Sequence, residues 1–110
     1  ELAAVNVPNA GYVPGLPDLA VVEVPARVDA EGLHPRTMRR LPEGVLALLH
    51  TQTSISTLLV EAFRDGSRDA LLQALLLDPT AHSYRQSIEL INRMFEVQGD
   101  ALPALEWRQR

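Results

Sequence analysis

The side chains best suited to chemistry in this sequence are three histidines, His34, His50 and His82. A histidine can bind a metal ion or transfer a proton near neutral pH. None of the three belongs to an HExxH-type pair on a helix. His34 is the most site-like, because it lies in a turn-rich stretch beside a cluster of arginines. For His50 and His82 we expect ordinary structural or surface roles.

Nucleophiles and acid–base groups do not combine into a recognised catalytic pattern. Ser54 and Ser56 have no base placed by sequence, and the GxSxG elbow is absent. The sequence has no cysteine, and it has no glycine-rich phosphate loop of the GxGxxG or GxxxxGK type. We expect the carboxylates to be solvated or to cap helices, as for Glu23, Glu61, Asp65 and Asp69. The residues of this chain alone therefore predict no active site.

A stiff loop separates the first two extended segments, Leu2–Val7 and Ala20–Val28. It contains Asn9, Gly11, Gly15 and three prolines. Each proline restricts the residue before it to extended conformations, and the glycines permit a positive φ or a close backbone approach. So much turn chemistry between two short strands indicates that the shape of the loop is used.

The second strand should be half buried, because alanine and valine alternate with polar residues from Ala20 to Val28. Pro25 cannot donate to a sheet ladder, so we expect this strand to lie at an edge or to be bulged there. After a turn at residues 29–32, Leu33–Pro35 can form a brief return strand.

Three helices should follow the strands, because each carries start and stop signals. They are expected from Pro42 to Arg64, from Ser67 to Asp78 and from Ser83 to Gly99. The second is apolar nearly all round, which predicts burial between layers. The tail from Asp100 to Arg110 should form a short turn or a frayed helix. The fold class is thus α+β and predominantly helical, with two or three short N-terminal strands and about three helices.

A polar belt, Thr51–Thr57, interrupts the apolar stripe of the first helix. Its helix propensity is poor, so tertiary packing must hold it or the helix breaks there. Two interpretations stay open. The belt lines a cleft, or it is the face on which another part of a larger protein packs.

Composition narrows the class of protein. The 110 residues suffice for one domain, and the net charge of -4 argues against a nucleic-acid partner. No uninterrupted apolar run approaches the ~20 residues of a membrane span, so we expect no membrane contact. The lack of cysteine and of a basic leader fits the cytoplasm. Because two or three short strands make a marginal sheet alone, we infer a piece of something larger.

Several ordered blocks of this sequence resemble the C-terminal region of glycoside hydrolase family 4. The similarity is to its α-glucosidase, α-galactosidase and α-glucuronidase branch, not to the 6-phospho-β-glucosidases. It covers about residues 4–95. The blocks that carry it are Asn6–Gly11, Leu16–Asp18, Val21–Pro25, Gly32–Pro35, Leu41–Pro42, Val60–Ala70 and Leu75–Pro79. Two departures are Ala10, where the family usually has a larger residue, and the unmatched belt Thr51–Thr57.

The resemblance implies the C-terminal half of a two-domain enzyme like lactate dehydrogenase, whose N-terminal Rossmann domain binds NAD and which uses a divalent metal, usually manganese. Such enzymes cleave glycosides by transient oxidation and elimination. Their cofactor, metal and catalytic residues lie upstream, so residues 1–110 would be a single C-terminal domain with no catalytic, NAD-binding or metal-binding residue and no activity alone. Against a carbohydrate substrate it would contribute a cleft loop, with Asn6, Asn9, Gly11 and His34. Its partners would be its own Rossmann domain and further copies of itself, and its helices would contribute to the subunit interface.

Two alternatives from other classes remain. One is a stand-alone helical interaction module that docks through the stripe from Val45 to Phe63. The other is a small independent enzyme that uses His34 and a carboxylate. The full reading frame discriminates among the three, because only the first hypothesis requires a preceding Rossmann motif.

Overall fold

The computed structural model describes residues 1–81 and 83–108, so the expectation for His82 lies outside the described residues. Three strands precede three helices, which confirms the expected α+β class. The elements are β1 (Leu2–Pro8), β2 (Val21–Asp29), β3 (Gly32–Pro35), α1 (Glu43–Asp65), α2 (Arg68–Leu77), α3 (Tyr84–Gln98) and a short 3₁₀ turn (Gly99–Ala101).

Two compact units divide the chain. We call Glu1–His50 the sheet unit and Thr51–Arg110 the helical unit. The boundary falls inside α1, so this helix contributes its first two turns to the sheet unit and the rest to the helical unit.

The sheet unit is a three-stranded antiparallel sheet in the order β1-β2-β3. Alternation along β2 sends Val22, Val24 and Ala26 into the core, as the sequence predicts. Partly buried side chains from β1, the loop and Leu41 pack on this core. The prediction that Val28 shares this buried face is wrong. Val28 is 54% exposed, because the strand runs past the core towards its turn.

Pro25 lies in the central strand, so the prediction of an edge strand is wrong and the prediction of an irregularity is confirmed. The register between β1 and β2 shifts between Leu2 and Val5, so that Ala3 and Ala4 together face Pro25. This bulge places the missing N–H of proline where the ladder is already interrupted. On the other side, the Pro25 carbonyl accepts a hydrogen bond from Arg36 N at 2.8 Å.

Helix starts follow the capping chemistry of the sequence. Ser67 Oγ accepts from Ala70 N at 3.2 Å, and Ser83 Oγ accepts from Gln86 N at 3.2 Å. Each bond satisfies one of the amides that an α-helix leaves unpaired at its first turn. The belt Thr51–Thr57 does not break α1, and Thr57 Oγ1 donates back to Thr53 O at 2.9 Å.

Burial in the helices is shallower than their sequences predict. Leu72 and Ala74 of α2 are buried, but Leu76 and Leu77 are 42% and 43% exposed. The predicted burial of α2 between two layers is therefore wrong within the described residues, because no second layer covers that side. The prediction was drawn from apolar composition, which does not specify where the cover is.

By length and composition alone, α1 is long and apolar enough to cross a membrane, and 11% of its apolar 18-residue stretch is buried. The expectation of no membrane contact considered uninterrupted apolar runs, and the hydroxyl-rich belt of α1 interrupts the run at little cost in hydropathy. A single helix of this kind is weak support for a membrane span, because core helices have the same length and composition.

The tail after the 3₁₀ turn is extended and pairs with the start of α2, which the sequence did not predict. Glu106 forms a parallel bridge with Ser67, donating to Gly66 O at 2.8 Å and accepting from Arg68 N at 2.9 Å. Leu105 is buried beside this bridge. The predicted short turn is confirmed in residues 99–101, and Glu106 then pairs the described part of the tail with the start of α2.

Candidate functional site

Asn9 organises the loop between β1 and β2. Its side chain is fully buried, and its Nδ2 donates to Val13 O at 3.1 Å and to Leu16 O at 2.9 Å. Its Oδ1 accepts from Val13 N at 2.6 Å. An amide can supply both donors and an acceptor in one plane, which a carboxylate or a hydroxyl cannot. Asn9 therefore fixes the loop from inside and has little capacity left to contact a ligand.

The turn at Asn9–Tyr12 needs left-handed backbone at both central residues. Ala10 has φ 42° and Gly11 has φ 86°, and Tyr12 N donates to Asn9 O at 2.7 Å. Positive φ at both positions is the requirement of a type I′ turn, which matches the twist of antiparallel strands. Gly11 has open space around it, so its role is conformational.

Gly15 is required for a different reason. It also has a positive φ, 96°, but a Cβ built on it would lie 2.8 Å from Leu46 Cδ2. The loop backbone thus packs directly on the side chain of Leu46, which is buried in the first turn of α1. This close approach holds the loop against the start of the helix within the sheet unit.

Asn6 is exposed on the outer face of the sheet, where it pairs with Glu23 of β2. Its amide is free to meet solvent or a ligand on that face, together with the neighbouring carboxylate. Asn6 lies near the end of β1, and Asn9 and Gly11 lie in the loop that follows, so the three residues are close along the chain. Asn9 is buried, whereas Asn6 and Gly11 are exposed.

His34 lies towards the other end of the sheet, opposite Arg27 of β2. Asn6 pairs with Glu23, four residues earlier on the same strand. At ~3.3 Å per residue along a strand, the levels of Asn6 and His34 differ by about 13 Å along the strand direction. The structure therefore does not bring His34 to the loop.

The β2–β3 turn brings His34 to two carboxylates. His34 Nε2 lies 2.8 Å from Asp29 Oδ1, and ligand atoms of Asp29, Glu31 and His34 all fall within 4.8 Å of one another. Glu31 N also donates to Asp29 Oδ1, at 3.1 Å, and Arg27 Nη2 lies 2.7 Å from Asp29 Oδ2. These contacts occupy both oxygens of Asp29 within the hairpin.

The electrostatics of the turn stabilise the charged form of Asp29. The hydrogen bond from His34, with smaller help from Glu31, holds the pKa of Asp29 below its ordinary 3.8. The carboxylate is accordingly ionised at neutral pH. Two carboxylates and an imidazole are the donor types that a divalent cation takes, but a cation here would have to displace Arg27 and the Asp29–His34 hydrogen bond.

Sequence reasoning missed the Asp29–His34 pair because it looked for partners at helical spacing. The turn composition of residues 29–32 could have indicated a hairpin. In that hairpin Asp29 pairs with Gly32 and Arg27 pairs with His34. Once that register is assumed, the diagonal contact between Asp29 and His34 follows.

The helical unit carries an open apolar groove of about 350 Å³. It is lined by apolar side chains of α1, α2, α3 and the tail, with a single carboxylate, Asp78, among them. The lining residues are Ile55, Leu59, Phe63, Leu71, Ala74, Leu75, Asp78, Leu90, Ile91, Met94, Phe95, Leu102, Pro103 and Leu105. The groove offers no catalytic chemistry, and its composition suits an apolar surface.

Comparison with known protein families shows which family this chain belongs to. Residues 1–81 match the model of the family 4 glycosyl hydrolase C-terminal domain, so the chain belongs to that family. The resemblance carried by Asn6–Gly11, Val21–Pro25 and the later blocks is thereby confirmed.

Two of the curated relatives are glucosidases. An α-glucosidase of Erwinia rhapontici is 42% identical over 89% of this chain and 21% of its own length. A maltose-6'-phosphate glucosidase of Clostridium acetobutylicum is 32% identical over 90% of this chain and 22% of its own length. The chain thus spans about a fifth of the relatives that it matches.

A solved structure has the same fold. A 6-phospho-α-glucosidase from gut microorganisms, in complex with NAD and Mn²⁺, superposes with a TM-score of 0.87 at 28% identity. The match covers 94% of this chain and 24% of that enzyme. The order of strands and helices described above is therefore that of a segment of a family 4 glycosidase.

Proposed function

We propose that this chain is the C-terminal domain of a cytoplasmic, NAD- and divalent-metal-dependent glycosidase that acts on α-glycosides. The observation that carries the proposal is the family match over residues 1–81. Further support comes from the two glucosidase relatives and from the similar enzyme in complex with NAD and Mn²⁺. The reaction that we assign to the parent enzyme is hydrolysis of an O-glycosyl bond by oxidation and elimination.

The residues of this chain do not fit NAD or a catalytic metal. The sequence has no glycine-rich phosphate cradle. Asp29, Glu31 and His34 supply suitable donor types, but Arg27 and His34 already occupy the Asp29 carboxylate. We therefore assign both groups to the part of the parent protein outside these residues, and we expect the 110-residue chain alone to be inactive.

The loop that follows β1 is the part of this chain that we assign to the substrate cleft. Asn9 and Gly11 hold its backbone, and Asn6 presents an exposed amide beside it. Fixed backbone and a few placed amides suit a sugar, whose hydroxyl groups both donate and accept hydrogen bonds. His34 stays a weaker candidate, because it lies about 13 Å farther along the sheet.

Activity tests the main proposal. The full-length protein should hydrolyse nitrophenyl α-glucosides, or their 6-phosphorylated forms, only when NAD and Mn²⁺ are both present. The 110-residue chain should give no turnover under the same conditions. Turnover by the short chain, or turnover by the full-length protein that ignores NAD removal, would contradict the assignment.

A matched pair of glycine substitutions tests the cleft loop in the full-length enzyme. Gly11 and Gly32 both have a positive φ and open space, but they lie at opposite ends of the sheet. Gly11→Ala should strain the loop and raise KM several-fold, whereas Gly32→Ala should leave KM unchanged. Equal effects of the two substitutions would remove the loop from the cleft.

Oligomeric state is a separate part of the proposal. We expect the full-length enzyme to be a homo-oligomer, because its helices also expose apolar side chains outside the groove, such as Val60 and Val97, and exposed apolar side chains favour association. Light scattering after size-exclusion chromatography measures this directly, and a monomer at high concentration would contradict it.

A further inference from the structure

The groove of the helical unit has no cover among the described residues, although its walls are almost wholly apolar. Phe63, Leu90 and Met94 are 58%, 51% and 42% exposed. Exposed apolar patches of this kind mark interaction surfaces in soluble proteins. The surface that would cover the groove is therefore absent from the part of the chain that the structure describes.

One face of α3 lines the groove, and the other face meets water. Its apolar groove residues, Leu90 and Met94, recur at helical spacing on one face. The ion pairs Arg85–Glu89 and Arg93–Glu96 occupy the other face, at 3.0 Å and 2.9 Å, and all four side chains are well exposed. The charged groups thus satisfy one another in solvent and leave the groove face apolar.

An apolar face without charged selectivity groups is typical of a permanent interface. Transient partners are selected by complementary charge, whereas obligate interfaces resemble a domain core cut in half. Among the described residues that line the groove, Asp78 is the only ionisable one, and its pKa is held below 3.8 by hydrogen bonds from Thr80. The carboxylate is therefore committed to its own turn and does not call for a cationic partner.

The amount of chain outside these residues identifies the occupant. This chain spans 21% to 24% of the relatives and of the solved enzyme that it matches. If the proposed function holds, three quarters of the parent polypeptide is tethered to the groove at a high effective concentration in every molecule. A second copy reaches the groove only at the concentration of the protein itself.

We propose that apolar side chains from the rest of the same polypeptide fill the groove between α1, α2 and α3. This inference rests on the proposed function and deepens it, because it assigns the groove to contact within one subunit. Contact between subunits then falls to other surfaces.

Thiol labelling of the full-length protein tests whether the groove is covered. Met94→Cys places a thiol in the groove, and Arg93→Cys places one on the neighbouring residue, which is absent from the lining. In the folded protein the first should react with a maleimide at least tenfold more slowly than the second, read by peptide mass spectrometry. In denaturant the two should react alike. Equal rates in the folded protein would overturn the proposal.

Photocrosslinking identifies the occupant whatever the oligomeric state. Benzoylphenylalanine in place of Phe63 should give a crosslinked product of monomer mass on a denaturing gel, with the second peptide from outside the 110 residues. A product of dimer mass would assign the groove to a second copy and overturn the proposal. A crosslink to another of the 110 residues would overturn it as well.

The glycosidase assignment and the intrachain contact can be contradicted independently of each other. Labelling and crosslinking do not depend on catalysis, so an inactive protein with a protected groove would contradict the glycosidase assignment and leave the intrachain contact standing. An active NAD-dependent glycosidase with dimer-mass crosslinks would do the reverse.

Discussion

The sheet unit and the helical unit bury their side chains in different ways. In the sheet unit, Val24 and Asn9 are almost fully buried, and a polar side chain inside the loop holds the backbone. In the helical unit the most deeply buried residue is the small Ala62, while Phe63 beside it is 58% exposed. Both units also expose large apolar side chains, such as Leu19 and Phe63, so the difference between them lies in how each core is held.

Internal hydrogen bonding should therefore dominate the stability of the sheet unit. Asn9→Ala leaves the Val13 amide and two carbonyls without partners, and unsatisfied buried groups cost ~1–3 kcal/mol each. We expect a loss of about 3 kcal/mol in the free energy of unfolding. Urea unfolding measures this loss, and hydrogen exchange of the Val13 amide reports whether the loop opens locally.

Asn6→Ala is the control for that substitution, because Asn6 is exposed and lies three residues away. It should change the free energy of unfolding by less than about 0.5 kcal/mol. If both variants exchanged at the same rate, the loop would not be held from inside, and the contrast between the two units would be lost.

The helical unit should depend most on Arg68. Its Nε donates to Leu105 O at 2.8 Å, and its guanidinium lies 4.2 Å from the centre of the Phe95 ring. Arg68→Ala removes a hydrogen bond of ~1–2 kcal/mol and a cation–π contact of ~1 kcal/mol, so we expect a loss of about 2 kcal/mol. Trp107 in the tail reports the change by fluorescence during urea unfolding.

Arg93→Ala is the matched control in the same unit. Arg93 makes an exposed ion pair with Glu96, and such pairs contribute ~0.2–1 kcal/mol. A loss as large as that of Arg68→Ala would mean that surface charge, and not the contact between Arg68 and the tail at Leu105, stabilises the helical unit.

Local chemistry made the elements of this fold predictable. Ser67 and Ser83 mark helix starts by satisfying amides that lie within three residues of them. Alternation along β2 identifies the core face for the same reason, because period-2 spacing is a property of the strand itself. Such signals need no knowledge of distant residues.

Contacts between residues that are far apart in the chain could not be predicted from the sequence. Arg68 meets Leu105 across 37 residues, and nothing in either neighbourhood specifies the other. Asn9 was predicted to contribute to a cleft, but its composition-based signal does not distinguish an amide that faces a ligand from one that bonds its own loop. Leu76 and Leu77 were expected to be buried, since an apolar pattern predicts cover without locating it.

Glycine substitutions sharpen the account of how the loop is held. Gly15→Ala combines an unfavourable φ with overlap on Leu46, and Gly11→Ala has the unfavourable φ alone. We expect losses of about 2 kcal/mol and about 1 kcal/mol respectively, because left-handed backbone costs ~1–2 kcal/mol and overpacking adds to it. Urea midpoints of the two variants measure the difference, and equal losses would show that Leu46 moves aside freely.

The smallest expected effect is the pH dependence at Asp29, where the sheet unit uses charge instead of packing. His34 holds the pKa of Asp29 below its ordinary 3.8, so the native state favours the ionised form. The contribution is therefore fully present above that value and is lost as the pH falls through the folded-state pKa. Asp29→Asn should lower the melting temperature slightly at about pH 5, and the difference from the parent should shrink as the pH falls through the folded-state pKa.

Asp65 and Asp78 also have lowered pKa values, so the parent alone cannot isolate this turn. The informative quantity is the difference between the parent and Asp29→Asn, measured again in a His34→Ala background. Because the hydrogen bond from His34 is the largest cause of the shift, the difference should shrink in that background. A difference that persists unchanged would mean that Arg27, which lies 2.7 Å from the other oxygen, stabilises the carboxylate instead.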